Sequence, residues 1–200
     1  MISQRNIFEF VYTMALRDAT LQKAYEGKKQ HLFDNETAKK TVEDYAQKVL
    51  GGQMSTQEIA DQETEKAIQQ LVKDFSDEGF TFGNAQKLLN MTMKYLYISA
   101  YGDTAKEQDY RDRFQFCHCP MDSQMIKYVL RRRTEKEVAA ILGENTRALY
   151  DDTRWSKLAD KSDVAPHNST AAYYDYQRII RALSTKEECI PIEFDFAYFS

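Results

Sequence analysis

Apolar residues recur at helical spacing along most of the chain and predict a series of amphipathic helices. Over residues 2–25, Ile7, Phe10, Val11, Met14 and Leu21 fall near one face, and Gly27 with the KKQH run ends the pattern. Asp34 or Asn35 can cap a second helix carrying Val42, Tyr45, Val49 and Leu50. Gly51-Gly52 then supplies a left-handed stop. Ser55 followed by Glu58 reads as a capping box for a third helix through Phe75, with Ile59, Ala67, Ile68, Leu71, Val72 and Phe75 inward.

A central helix is expected from near Asn84 to Gly102-Asp103. Leu88, Leu89, Met91, Met93, Tyr95, Leu96, Tyr97 and Ile98 make it apolar on nearly every side, the signature of a buried helix. The polar stretch 104–116 reads as an exposed insertion of one or two helical turns. Pro120, with Asp122 or Ser123 as a cap, opens a helix holding Met125, Ile126, Val129 and Leu130. Thr134 with Glu137 opens a short helix through Leu142, stopped by Gly143. Residues 149–167 are irregular and contain the single tryptophan, Trp155. Asn168 or Ser169 caps a last helix with Tyr173, Tyr176, Ile179, Ile180 and Leu183 inward. The tail 190–198 alternates apolar and polar residues strictly, which predicts a short C-terminal strand or an extended arm.

One narrow stripe interrupts the central helix. Asn84, Lys87, Asn90 and Lys94 share a face. A lysine on a buried helix either reaches water with its ammonium or faces a cavity where an amine does chemistry.

Composition narrows the class. The 200 residues are 42% hydrophobic and 29% charged, ordinary for a globular chain, while seven Gly and three Pro are too few for a turn-rich all-β fold. No apolar run approaches the ~18 residues of a membrane span, and the first residues lack a secretion signal. Three cysteines argue against a disulfide framework. A cytoplasmic protein with no membrane contact is expected. The net charge of −4 does not advertise a nucleic-acid binder, although phosphates respond to a local basic face.

Two segments carry candidate chemistry. At G-N-A-Q-K, the backbone of Gly83, Asn84, Ala85 and Gln86 forms a helix start, a natural phosphate site, with Lys87 in its first turn. At P-M-D, Asp122 sits at another helix start, where the dipole favours its ionised form. An amine and a carboxylate held around one cleft make a nucleophile and a charge stabiliser.

This layout resembles the helix-hairpin-helix DNA glycosylases, especially the 8-oxoguanine glycosylase/lyase type. That family carries G-x-G-x-K at its hairpin and P-x-D at a later helix start. Residues 83–87 and 120–122 match, with Lys87 and Asp122 35 residues apart as in the longer archaeal spacing. Ala85 stands at the second hairpin glycine, and Asp77, Glu78 and Gly79 replace the usual apolar residue and proline. The likeness spans residues 57–133. It implies a single mainly α domain over 1–200, with a glycosylase-like core at 55–142 and a packing lobe from 1–54 and 143–200. It also implies a monomer acting on double-stranded DNA that carries a modified base, without cofactor or metal.

The roles it implies are Lys87 as the nucleophile at C1′ and Asp122 as its electrostatic partner. The base would leave the stack to react, against Phe116, Trp155 or Tyr95, with Asn90 and Lys94 nearby. Lys127, Arg131 and Arg132, clustered with Arg133, would join Gly83–Gln86 in holding phosphates. Cys117-His118-Cys119, with Cys189 and His167 distant, is a weak zinc pattern and reads better as buried thiols. The rival reading is a non-enzymatic helical interaction or inhibitor protein of a mobile genetic element, favoured by the acidic balance and the polar start of the third helix.

Overall fold

The computed structural model describes residues 4–21, 32–76, 79–100, 104–132, 134–142, 155–157 and 170–197. Nine helices lie among them: α1 (Gln4–Ala19), α2 (Glu36–Leu50), α3 (Gln57–Asp74), α4 (Phe82–Ser99), α5 (Thr104–Phe114), α6 (Ser123–Arg131), α7 (Lys136–Leu142), α8 (Thr170–Lys186) and α9 (Pro191–Ala197). No strand occurs among the described residues, so the mainly α class holds.

α4 is the axis. Every residue from Phe82 to Lys94 is buried, because α1, α3 and the short 3₁₀ turn Trp155–Lys157 cover it from different sides. The remaining helices close around it: α2 on α3 and α5, and α8 on α6, α7 and α9. One contiguous apolar core runs through all of these elements. No described helix is long and apolar enough to cross a membrane.

The helix ends follow local chemistry. Asn35 caps α2 by accepting from Ala38 N at 3.0 Å. Past Gly51, Gly52 takes φ +67°, and Gln53 N bonds Lys48 O while Gly52 N bonds Val49 O, the paired hydrogen bonds of a left-handed stop. The cap of α3 is Thr56, not Ser55: its hydroxyl accepts from Ile59 N. α4 starts at Phe82, two residues earlier than expected, because Thr81 and Asn84 form a reciprocal capping box. The exposed stretch from Thr104 is a full helix of 11 residues whose last residue, Phe114, is buried against Tyr97.

Two expectations are corrected. In α1 the buried face is Phe8, Val11, Tyr12, Ala15, Leu16 and Ala19, whereas Phe10 and Leu21 are 68% and 54% exposed. Its small alanines lie on the buried side of the helix that packs most heavily against α4. The alternating tail is a helix, not a strand. Pro191 is its first residue, where the missing N–H goes unused, and Glu193 accepts from Ile190 N at 3.0 Å. Helical spacing puts Ile192 and Asp195 on one face, so the carboxylate reaches α4 instead of solvent.

The stops at Gly27, Gly102-Asp103 and Gly143, the caps at Asn168 or Ser169, and most of 149–167 lie outside the described residues. So do Asp77, Glu78, Arg133 and His167.

Candidate functional site

Lys87 and Asp122, 35 residues apart in sequence, meet. Lys87 Nζ donates to Asp122 Oδ2 at 2.9 Å, with side chains 8% and 25% exposed. The two oxygens of Asp122 divide the work. Oδ1 caps α6 by accepting from Gln124 N at 2.9 Å and Met125 N at 2.8 Å, which leaves Oδ2 aimed at the amine. Burial raises this carboxyl's proton affinity, but the Lys87 charge and the cap hydrogen bonds outweigh it and hold the carboxyl below the usual range. Asp122 is therefore ionised at neutral pH. The Trp155 ring centroid lies 6.0 Å from Lys87 Nζ.

The rest of the polar stripe faces protein. Asn84 donates to Ala19 O of α1 at 2.7 Å, and Asn90 to Tyr173 Oη of α8 at 2.8 Å. Lys94 pairs with Asp195 of α9 in a contact buried on both sides, under the Phe196 ring at 4.5 Å. The stripe is thus where α1, α6, α8 and α9 each dock a polar group on the central helix.

Of the residues expected near a displaced base, Trp155 is the one set against Lys87. Tyr95 donates to Asp18, and Phe116 packs on the core with its carbonyl accepting from Gln57. Gly83, Asn84, Ala85 and Gln86 are not an exposed helix start. All four are buried, and Thr81 already accepts from the N–H groups of Asn84 and Ala85. Gly83 lies directly beneath Trp155 and Ser156, and Thr81 Oγ1 donates to Ser156 O at 2.7 Å. On α6, Lys127 and Arg131 are exposed beside a groove shared with Leu130 and Thr134. Arg132 turns away into pairs with Glu135 and Glu187 and packs over Tyr128.

A Cβ at residue 83 would meet Trp155 O at 2.2 Å and Ser156 Cα at 2.8 Å, both backbone atoms. Gly83→Ala is therefore expected to lose about 1–3 kcal/mol in urea melts, despite alanine's better helix propensity. The emission of the single tryptophan should shift to the red as the turn is displaced.

The Cys-His-Cys segment is buried, and its thiols are pushed up by burial. His118, 1% exposed, places Nε2 at 2.7 Å from Asp61 Oδ1 and Nδ1 at 2.8 Å from Tyr173 Oη. Burial lowers its proton affinity more than Asp61 raises it, and the Arg181 charge adds to the lowering. Asp61 is raised by burial, yet its bonds from His118 and Gln57 and the Arg181 charge bring it below the usual carboxylate range. Through the His118 shift the folded chain binds fewer protons than the unfolded chain as pH falls below the ordinary 6.5, and the Asp61 shift adds to this only below the ordinary 3.8. Stability should therefore be full above pH 6.5 and decline as pH drops through the folded-state titrations. Urea midpoints measured from pH 7.5 to 5 test this, and a His118→Gln variant should show a flatter slope.

Asp61, Gln177 and Asp195 escaped the sequence reading as site residues, and Tyr173 entered it only as an inward member of the last helix. For Gln177 the available signal was a polar residue inside an apolar helical face, between Tyr176 and Ile179.

These features define a mainly helical protein whose buried central helix presents a lysine to the capping carboxylate of a second helix. No family model, curated protein or solved structure matches the chain.

Proposed function

We propose that the protein is a DNA glycosylase with associated lyase activity, acting on double-stranded DNA that carries a modified base. What carries this reading is the Lys87–Asp122 contact at 2.9 Å, an amine and an ionised carboxylate brought together over 35 residues beside an aromatic ring. In this chemistry Lys87 gives up a proton, and its neutral amine attacks C1′ of the deoxyribose. The C1′–N bond breaks, and the base leaves with the bonding electrons and takes up the proton that Lys87 released. Asp122 stabilises the positive charge that develops at C1′. Transfer of a second amine proton to the ring oxygen, with cleavage of the C1′–O4′ bond, yields a protonated imine, from which loss of a C2′ proton to solvent and β-elimination expel the 3′ phosphate. Lys127 and Arg131 are exposed cations available to DNA phosphates.

The test is borohydride trapping on duplexes carrying a panel of base lesions. A covalent adduct is expected with the wild-type chain and none with Lys87→Met. Absence of an adduct across the panel would sink the reading.

One observation favours a second reading, a non-enzymatic helical interaction protein. Lys94 makes the same kind of buried pair with Asp195 further along α4, as expected if both lysines simply brace the helix. In that case Lys87→Met and Lys94→Met alter stability alone, and no lesion is processed.

A further inference from the structure

A chain of buried hydrogen bonds ends on the backbone next to Asp122. It begins at Asp61 on α3, held by Arg181 at 3.2 Å and Gln57 at 2.7 Å. It continues through His118, Tyr173 and Asn90 to Gln86. Gln86 then brackets Met121, accepting from its N–H at 3.2 Å and donating to its carbonyl at 2.7 Å. A second glutamine, Gln177, does the same to Cys119, at 3.0 and 2.8 Å. Both glutamines are fully buried. The extended stretch before α6 thus has two side-chain amides in place of a neighbouring strand. Its buried backbone groups would otherwise lack partners.

The proton positions along the chain follow from its first member. A carboxylate only accepts, so His118 carries its proton on Nε2 and Nδ1 is an acceptor. Tyr173 must then donate to Nδ1, and its remaining lone pair receives Asn90 Nδ2. The Asn90 amide also donates to Gln86 Oε1 at 3.3 Å. Each donor meets an acceptor, and the direction is set at the partly exposed carboxylate.

We propose that Asp61, His118, Tyr173, Asn90 and Gln86 are positioning residues that hold the backbone before α6 so that Asp122 is aimed at Lys87. The catalytic consequence rests on the glycosylase reading; the positioning itself does not. A misplacement of about 1 Å at reacting groups can lower a rate about 100-fold, so such support carries weight.

The test uses the full chain with Asp61→Asn and Gln86→Leu. In the wild type, nitrogen NMR of His118 should show the proton on Nε2, and the Asp122 carboxyl should titrate below the usual range. Asp61→Asn should redistribute the His118 proton between the ring nitrogens and raise the Asp122 midpoint. Single-turnover trapping should fall about 10-fold in Asp61→Asn and about 100-fold in Gln86→Leu, with lesion-duplex Kd within about twofold of wild type. Unchanged His118 nitrogens and an unchanged Asp122 titration in Asp61→Asn overturn the proposal, as does wild-type trapping by a folded Gln86→Leu. If Gln86→Leu does not fold, the Asp61→Asn spectra decide. If the wild type traps no lesion, the glycosylase reading fails, and the same spectra still judge the positioning.

Discussion

Lys94→Met is expected to destabilise the protein by about 3–5 kcal/mol, because it strands a buried carboxylate. Asp195 is 4% exposed and pairs with Lys94 at the contact between α9 and α4. Methionine retains most of the lysine stem's packing, so the loss reports the charge. For a chain of this length the melting temperature should drop on the order of 10 °C. The double variant Lys94→Met/Asp195→Leu removes both charges and should recover most of the loss, since a buried pair is often no better than apolar residues of similar volume. Thermal melts of the two single variants and the double variant form a closed cycle. A single variant as stable as wild type would mean that water reaches the pair.

Asp122→Asn should separate the cap from the charge. Asparagine caps helices about as well as aspartate, so the helix start should survive, and the expected loss of about 1–3 kcal/mol reports the missing counter-charge of Lys87. Its Oδ1 can keep accepting from Gln124 N and Met125 N. The atom opposite Lys87 Nζ becomes an amide nitrogen, with no negative charge to stabilise a cation at C1′. On the glycosylase reading, single-turnover trapping should fall about 10²–10³-fold, with lesion-duplex affinity little changed. A large loss of stability with no kinetic effect would instead make Asp122 a cap and brace alone. Paired with Lys87→Met, which should remove the adduct entirely, this variant assigns distinct roles to amine and carboxylate.

The contrast between Lys87 and Lys94 gives both experiments their meaning. They lie on one face of the same helix, each against an aspartate from a later element. Asp195 is almost completely enclosed, while Asp122 retains a quarter of its side-chain exposure. The enclosed pair suits bracing. The partly open pair, with Trp155 at its edge, is the one that the glycosylase reading assigns to chemistry.

Much of this arrangement was legible in the residues. The all-round apolar run after Leu88 dictated a buried central helix, since no exposed face could tolerate it. Side-chain and backbone chemistry within four residues narrows the caps to Asp34 or Asn35 and to Asp122 or Ser123 and places the stop at Gly51-Gly52; the structure selects Asn35 and Asp122. The G-x-A-x-K and P-x-D segments singled out the two residues that meet at 2.9 Å.

Other features depended on contacts between distant segments. The alternation from Ile190 to Tyr198 is compatible with a strand, but the local signals of Pro191 and Glu193 agree with packing on α4 to make a helix. The backbone at Gly83–Gln86 has the form of an anion site, yet the turn at Trp155, some 70 residues later, covers it. The sequence alone determined most of the helices, the approximate starts of α2 and α6 and the two charged groups, because those depend on periodicity and neighbours a turn away. Which partner each polar group of α4 found was decided only in the tertiary structure, because a hydrogen bond requires two groups within about 3 Å, and folding alone brings α1, α6, α8 and α9 that close to one helix.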